Sequence, residues 1–465
     1  MPKGLNVIGF IGGIAVAVLV CLLPLAGLSP EAQRCLGLSL LAVIWWATGV
    51  THPGYTSALL LGLYVLLDVA PGKVVFGLWT SPIIYLVVGG YLIAAAVRDS
   101  GLGKRIAYHY IIRYISSYRS IIIGAYILGF LLSFLIPHPW PRCFLIMSVM
   151  AMIIKGADIP VKDAANIGLA VFAASCPTSA ILLTGDSVIN TIAVSMSGVK
   201  LSWLGWLWQM GVPAVVASIL TLVLQLALYK PSKEVVINKP EFQGYLADLG
   251  PFNPVERKTL IWVVLGVVLW ATDSLHHIHP GWVALIVSMG MSLPLIGGII
   301  GPKHWNDVPI ATLFFLTAAL AIGKVGGFTG MNAWVADVML PSQLPKNPFM
   351  LAALISVVGV AVHMVLGSVL AVMGVIIPTF LVLASSQGVN PLFISLIVYM
   401  VLAMHYILPF HHMNMLVGLG KTQGGYGDRQ VLRLGLPLTV VTLVITIGVM
   451  VPWWMITGLV KQGAM

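Results

Sequence analysis

"WTSPIIYLVVGGYLIAAAVRDSGLG", residues 79–103, is an apolar stretch opened by tryptophan and proline and closed by charge and glycine. A second stretch, "WNDVPIATLFFLTAALAIGKVGGFTG" at residues 305–330, repeats that layout. Trp79 and Trp305 stand 226 positions apart, and the same offset pairs Arg98 with Lys324 and Gly101 with Gly327. It also lays "LTGDS" (183–187) over "PFHHM" (409–413). A correspondence held over about a hundred residues marks two related halves, the arrangement found in secondary transporters.

The composition agrees with a membrane setting. Hydrophobic residues make up 59% of the 465 positions and charged residues 8%, with a mean hydropathy of +1.01. A soluble domain carries about 25% charged residues. Runs such as Val7–Ala26, Ile121–Ile136, Leu260–Ala271, Met350–Val365 and Leu436–Trp454 approach or reach the ~20 apolar residues that cross a bilayer. The chain reads as an all-α polytopic membrane protein with about 11 transmembrane helices. Short alternating strands, the mark of a barrel, are not seen. The apolar start is too long for a signal peptide and leads straight into further spans, so it reads as the first transmembrane helix. Cys21, Cys35, Cys143 and Cys176 lack paired spacing and read as small core residues.

The formal net charge of +10 is unevenly placed. Basic residues gather between Arg98 and Arg119, between Lys230 and Lys258, and at Arg429 and Arg433. Cations in short loops mark the cytoplasmic side, and because these patches border spans they do not read as a nucleic-acid surface. The segment Arg98–Arg119 reads as an amphipathic helix on that surface. The polar stretch 230–258, with Pro240, Pro251 and Pro254, reads as a cytoplasmic linker between the halves. The expected organisation is N-terminal helices over 1–75, a first repeat over 76–229, the linker 230–258, further helices over 259–300, a second repeat over 301–425 and a C-terminal helix over 426–465.

Each half carries two interruptions. In the first half they are "IPHPWPR" (136–142) and "SCPTSAILLTGDSVIN" (175–190); in the second, "HMVLGSVLAVMG" (363–374) with Pro378, and "ILPFHHMN" (407–414). Unwound backbone at membrane depth survives only where protein or a water-filled cavity covers it. Four interruptions in matching order therefore suggest one composite cavity. The first and third are expected as re-entrant hairpins near 137–155 and 363–385, with prolines holding the first tip unwound. The second and fourth are expected as broken helices near 177–195 and 405–420.

At these residues the chain resembles the divalent anion/sodium symporter family of the ion-transporter superfamily. "SPIIYLVVGGYLIAAAVRDSGLGKRIA" (81–107), the amphipathic segment after it, and "LPFHHMNMLVGLG" (408–420) trailed by "YGDRQVLRLGLPL" (426–438) carry the resemblance. It implies a homodimer in which each protomer joins a scaffold to an elevator-type transport domain built from two inverted repeats. It also implies dicarboxylate, tricarboxylate or sulfate substrates, usually driven by sodium. The family's Ser-Asn-Thr triplets are absent: the first falls near His138-Pro139-Trp140 and the second at Ser368-Val369-Leu370, where only Ser368 keeps a hydroxyl. Asn190 and Asn414 keep the amides of the broken helices.

Among candidate site residues, Arg142 is costly at membrane depth and pairs or faces water. Its planar fork suits the oxygens of a carboxylate, sulfonate or phosphate; an internal pair with Asp186 and an interfacial position are the alternatives. His138, His411 and His412 offer donors to an anion and a pKa of about 6.5 that permits proton coupling; the plain alternative is a polar anchor between helices. Trp140, Thr184, Ser187, Ser368 and Asn414 complete the expected substrate contacts, while Asp186, Gly185, Asn190 and Gly367 are expected on the coupling-ion side. His363 and His405 have only their depth to recommend them. The expected function is secondary active transport of a small organic or inorganic anion across the plasma (bacterial inner) membrane, coupled to sodium or protons, with no other cofactor. A passive channel, facilitator or exchanger on the same scaffold is the alternative. No HExxH, GxSxG or Walker pattern points to an enzyme. The pair His411/His412 beside Asn414 makes a poor zinc set, because a third positioned protein ligand is wanted.

Overall fold

A computed structural model describes residues 3–460 except 233–234, 236–238, 340–343, 368, 409–410, 413, 416–417 and 419–423. The chain is an all-helical, multi-pass membrane protein. Among the described residues five helices are long and apolar enough to cross a bilayer: Pro82–Ser100, Trp203–Leu228, Ile310–Thr329, Pro348–Val365 and the continuous run Asp428–Thr457. The span Trp203–Leu228 exposes Leu204, Trp208, Val212, Val215, Ile219 and Val223. Those positions recur every three or four residues, so they form one stripe along the helix. An exposed stripe of that size and apolarity is explained by lipid.

The prolines mostly begin helices. Ser81 caps Pro82–Ser100, His138 caps Pro139–Gly156, Asn253 caps Pro254–Ala271, Asn347 caps Pro348–Leu366 and Asn390 caps Pro391–Met404. Each cap accepts a backbone N–H of the first turn, and each following proline occupies a position whose own N–H would have no helical partner. The reading of "PHPWP" as a tip held unwound is therefore corrected. Pro139 and Pro141 lie in the first turn of a helix, and the unwound residues precede them at 132–138. Pro177 and Pro378, by contrast, sit inside helices.

Two helices form the centre. Val161–Ala180 is buried from Asp163 to its end, and Pro391–Met404 from Leu392 to its end. Helices that are apolar on every side bury every side. Pro391–Met404 has 14 residues, and at 1.5 Å per residue it covers about 21 Å of the ~30 Å hydrocarbon core. It is therefore too short to cross that core alone. So is Tyr118–Leu131, also of 14 residues.

The two halves share an order of elements. In the first, Pro82–Ser100 leads to Leu102–Tyr114, Tyr118–Leu131, a break, Pro139–Gly156, Val161–Ala180, a second break and Ile189–Ser197. In the second, Ile310–Thr329 leads to Met331–Met339, Pro348–Leu366, Val369–Ser386 and Pro391–Met404, with the last span beginning at Asp428. Ile189–Ser197 packs on Pro391–Met404 and Val369–Ser386, joining the halves.

The basic face is more ordered than a connecting loop would be. The amphipathic helix is Leu102–Tyr114, shorter than the expected Arg98–Arg119, because Gly101 at φ 82° ends the preceding span. It lies against the linker helix Lys239–Asp248. Arg105 reaches Glu256 at 2.7 Å, with Glu256 only 1% exposed. The linker thus contains a helix and is pinned to the first half.

Candidate functional site

The backbone at the first pair of breaks is satisfied almost entirely by side chains. The amide of Ser187 donates to the Pro137 carbonyl at 3.0 Å, tying one break to the other. Arg142, fully buried, donates from Nη1 to the carbonyls of Ile136 (2.9 Å) and Gly185 (3.1 Å) and from Nη2 to Ser179 Oγ. Asn190 Nδ2 donates to the carbonyls of Ser179 and Leu182, each at 2.9 Å, and Trp206 Nε1 donates to Ala180 O at 3.0 Å. The Leu182 carbonyl also accepts the Gly185 amide at 2.9 Å; a carbonyl left unpaired where no water is available costs several kcal/mol in a bilayer core. Gly185 is required where it stands, since a Cβ there would lie 2.3 Å from the Ser179 carbonyl oxygen.

Asp186 Oδ1 accepts the amides of Val188 (3.0 Å) and Ile189 (3.2 Å), at the start of Ile189–Ser197. A carboxylate on a helix N-terminus meets two unpaired donors and a favourable dipole. Among the described residues Arg142 makes no ion pair, so the alternative of an Arg142–Asp186 pair is not formed.

The second interruption uses histidines for the same purpose. His412 Nε2 lies 3.0 Å from the carbonyl oxygen of Leu402, and the Ile407 amide donates to His411 Nδ1 at 3.2 Å. Tyr426 donates its hydroxyl to Met415 O at 2.6 Å. Phe172, on the first half's central helix, packs edge-on to Tyr406 at 4.7 Å and faces His412 at 6.1 Å.

A cavity of about 1290 Å³ opens between the halves. The first half contributes Tyr91, His138, Trp140 and Asp186 to its wall, and the second contributes Gly367, Leu370, His411, His412 and Asn414. Trp46 and His52 close a third side, while Arg98, Lys104 and Asp307 stand on the same wall toward the basic face. His138 Nδ1 accepts the Trp140 amide at 3.2 Å, and its ring lies 4.7 Å from that of Tyr91.

Seven of the residues expected in the site thus line one cavity: His138, Trp140, Asp186, Gly367, His411, His412 and Asn414. Five others lie behind the wall. Arg142, Gly185 and Asn190 are engaged as above; Thr184 Oγ1 accepts from Trp203 Nε1 at 3.1 Å; and Ser187 is fully buried beside Gly90. Ser368 lies outside the described residues. Tyr91, Trp46 and His52 escaped the sequence reading because no polar motif surrounds them. His363 and His405, passed over for having depth alone, come into direct contact with each other and with His411.

Helices broken at membrane depth around a shared cavity define a class, the polytopic solute transporters. The chain belongs to the family described as the sodium:sulfate symporter transmembrane region, which spans residues 6–460. It is a transporter and not an enzyme. It is 23% identical to dicarboxylate transporter 1 of the Spinacia oleracea chloroplast over 98% of this chain and 82% of that protein. It is 23% identical to the putative malate transporter YflS of Bacillus subtilis over 71% of each chain. A membrane protein of Cupriavidus necator is 25% identical over 93% of this chain and 89% of its own length.

Proposed function

We propose that this protein is a secondary active transporter of a small dianion, a dicarboxylate foremost, across the bacterial inner membrane. The observation that carries the reading is the cavity walled by both interruptions, with the donors His138, Tyr91, His411, His412 and Asn414 on facing sides. Apart from Asp186, already used as a helix cap, its deep wall carries no carboxylate among the described residues to repel an anion. The names of the relatives from Spinacia oleracea and Bacillus subtilis support dicarboxylates within the wider anion class. The basic face is cytoplasmic by the positive-inside rule, so Arg98, Lys104 and Asp307 mark the cavity's cytoplasmic end.

Arg142 bears on coupling. A guanidinium donating to two backbone carbonyls and a hydroxyl occupies the sort of oxygen cage that otherwise holds a bound cation. We take it as a built-in cation of the first half, which leaves one mobile coupling ion, sodium or a proton, for the second. Transport proceeds by an elevator motion of the interrupted helices in a homodimer of inverted repeats. The Ser395 hydroxyl bound to the Ala193 carbonyl, one from each half, supports the interruptions travelling as one body.

Reconstituted protein is expected to take up radiolabelled malate saturably and to exchange it against internal malate. Flux linear in concentration and without counter-exchange would instead establish a channel. Uptake lost on replacing sodium with potassium identifies sodium coupling; uptake lost on collapsing a pH gradient identifies protons.

A further inference from the structure

Behind the cavity wall, three histidines from three segments meet. His363 lies near the end of Pro348–Leu366, His405 directly follows Pro391–Met404, and His411 lies in the interruption. They are 0%, 0% and 1% exposed. His363 Nδ1 and His405 Nδ1 stand 3.0 Å apart, and one nitrogen from each of the three rings lies within 4.8 Å of the other two. Four ligands at 2.0–2.1 Å around a tetrahedral metal stand about 3.3 Å from one another. One pair of nitrogens therefore already stands near the separation that a metal would impose, and the third lies within 4.8 Å of both.

The hydrogen-bond inventory points the same way. A neutral imidazole has one N–H and one lone pair. The 3.0 Å contact uses one N–H and one lone pair of the His363/His405 pair. The Nε2 atoms of both rings are buried and have no partner among the described residues. One N–H and one lone pair of the two rings are thus left over in an apolar interior, where an unmatched polar group is costly; a metal held by both rings takes both lone pairs and replaces the 3.0 Å contact. Three neutral nitrogens without a carboxylate do not suit sodium, magnesium or calcium; imidazole sets select zinc, copper, nickel, cobalt or ferrous iron.

We infer that His363, His405 and His411 form a binding site for one divalent transition-metal ion of the zinc class, which shares His411 with the cavity wall and is distinct from any sodium site. The third ligand that the sequence lacked beside His411/His412 is supplied by tertiary structure. Loading has a local consequence. His411 Nδ1 now accepts the Ile407 amide. A metal on Nδ1 takes that lone pair, and a metal on Nε2 moves the ring proton onto Nδ1, so either mode breaks the Ile407 bond. Metal occupancy is thereby linked to the conformation of the interruption that carries His411 and His412 into the cavity wall.

The test uses purified, tag-free, chelator-stripped full-length protein titrated with Co²⁺. The expected result is one Co²⁺ per chain with the strong visible absorption of a low-coordinate site, displaced by Zn²⁺. His363→Gln and His405→Gln are each expected to weaken binding at least about tenfold, the scale lost even when only a ligand's supporting group is removed. His277→Gln, at an exposed position, is expected to leave it unchanged. Should the variants aggregate, X-ray absorption of the zinc-loaded wild type decides the matter, with three imidazoles expected in the first shell. Wild type that binds no stoichiometric Co²⁺, binding indifferent to His363 and His405, or fewer than three imidazoles at zinc would each overturn the site. None of these readouts involves transport, so they stand or fall apart from the proposed substrate.

Discussion

The two halves solve one problem with different chemistry. Each breaks a central helix at membrane depth and must satisfy the exposed carbonyls without water. The first half does so with a fixed positive charge: Arg142 spans Ile136, Gly185 and Ser179, and Asp186 caps the next helix. The second half uses neutral rings, with His412 at Leu402 O, His411 under the Ile407 amide, and His363 against His405. A permanent guanidinium cannot change its charge or leave, whereas imidazoles can exchange a proton or a ligand. The first interruption is accordingly held by a fixed charge, and under the proposed function the second is where an exchangeable proton or ion would act.

The largest test of that asymmetry is Arg142→Met. It strands three acceptors inside the protein at about 1–3 kcal/mol each, so a loss of about 4 kcal/mol is expected, read as a collapsed melting transition in detergent and loss of monodisperse protein. The matching change in the second half, His412→Met, frees one carbonyl and should cost about 1 kcal/mol. Equal melting shifts for the two would erase the distinction. Arg142→Ser sharpens it further: with a small hydroxyl in place of the fixed cation, sodium should raise Tm more than potassium does. Identical curves in the two salts would show that Arg142 is not standing in for a bound ion.

Gly185→Ala probes the same break through sterics alone. The new Cβ would meet the Ser179 carbonyl oxygen at 2.3 Å, and relief requires the backbone to move. About 2 kcal/mol of destabilisation is expected, within the usual range for overpacking, again as a fall in Tm. Wild-type stability would mean that the break is looser than its hydrogen bonds imply.

How far these contrasts could be read from residues alone depends on their range. The spans and the basic face follow from hydropathy and charge, which are local. The positions of the interruptions follow from proline and polar residues in apolar runs, though "PHPWP" misled: a proline after a good cap begins a helix as readily as it ends one, and His138 is such a cap. What Arg142 touches could not be read, because Ile136, Ser179 and Gly185 meet only through tertiary packing. The same holds for His363 and His405, 42 residues apart in sequence. Asp186 was legible as important, but its capping of Ile189–Ser197 needed the helix start to be known.

Asp186→Asn separates that cap from the charge. The amide oxygen can still accept from Val188 and Ile189, so stability should change only by the charge–dipole part, about 0.3–1 kcal/mol. Removing a negative charge from the cavity wall should raise apparent affinity for a dianion, measured as a lower KM for malate. A stability loss of several kcal/mol would place the charge in the structural framework instead.

The smallest effect is expected where the halves touch at the basic face. Arg98 donates to both carboxylate oxygens of Asp307 at 2.9 Å, a two-pronged contact between Pro82–Ser100 and the turn before Ile310–Thr329. The Arg98 hydrogen bond holds the Asp307 carboxyl below its ordinary range. A carboxylate with a depressed folded-state pKa contributes stability that is fully present above its unfolded value, about 3.9, and is lost as pH falls below that. The pair should therefore be intact and pH-independent through the physiological range. Its side chains are 48% and 34% exposed, so water and salt screen it, and Asp307→Asn should cost less than about 1 kcal/mol. The informative readout is salt: the gap in Tm between wild type and Asp307→Asn should shrink as ionic strength rises, while the gap for Arg142→Met, buried from solvent, should not. If both gaps respond alike to salt, Arg142 is reached by solvent ions and the contrast between a sealed first interruption and a screened surface contact fails.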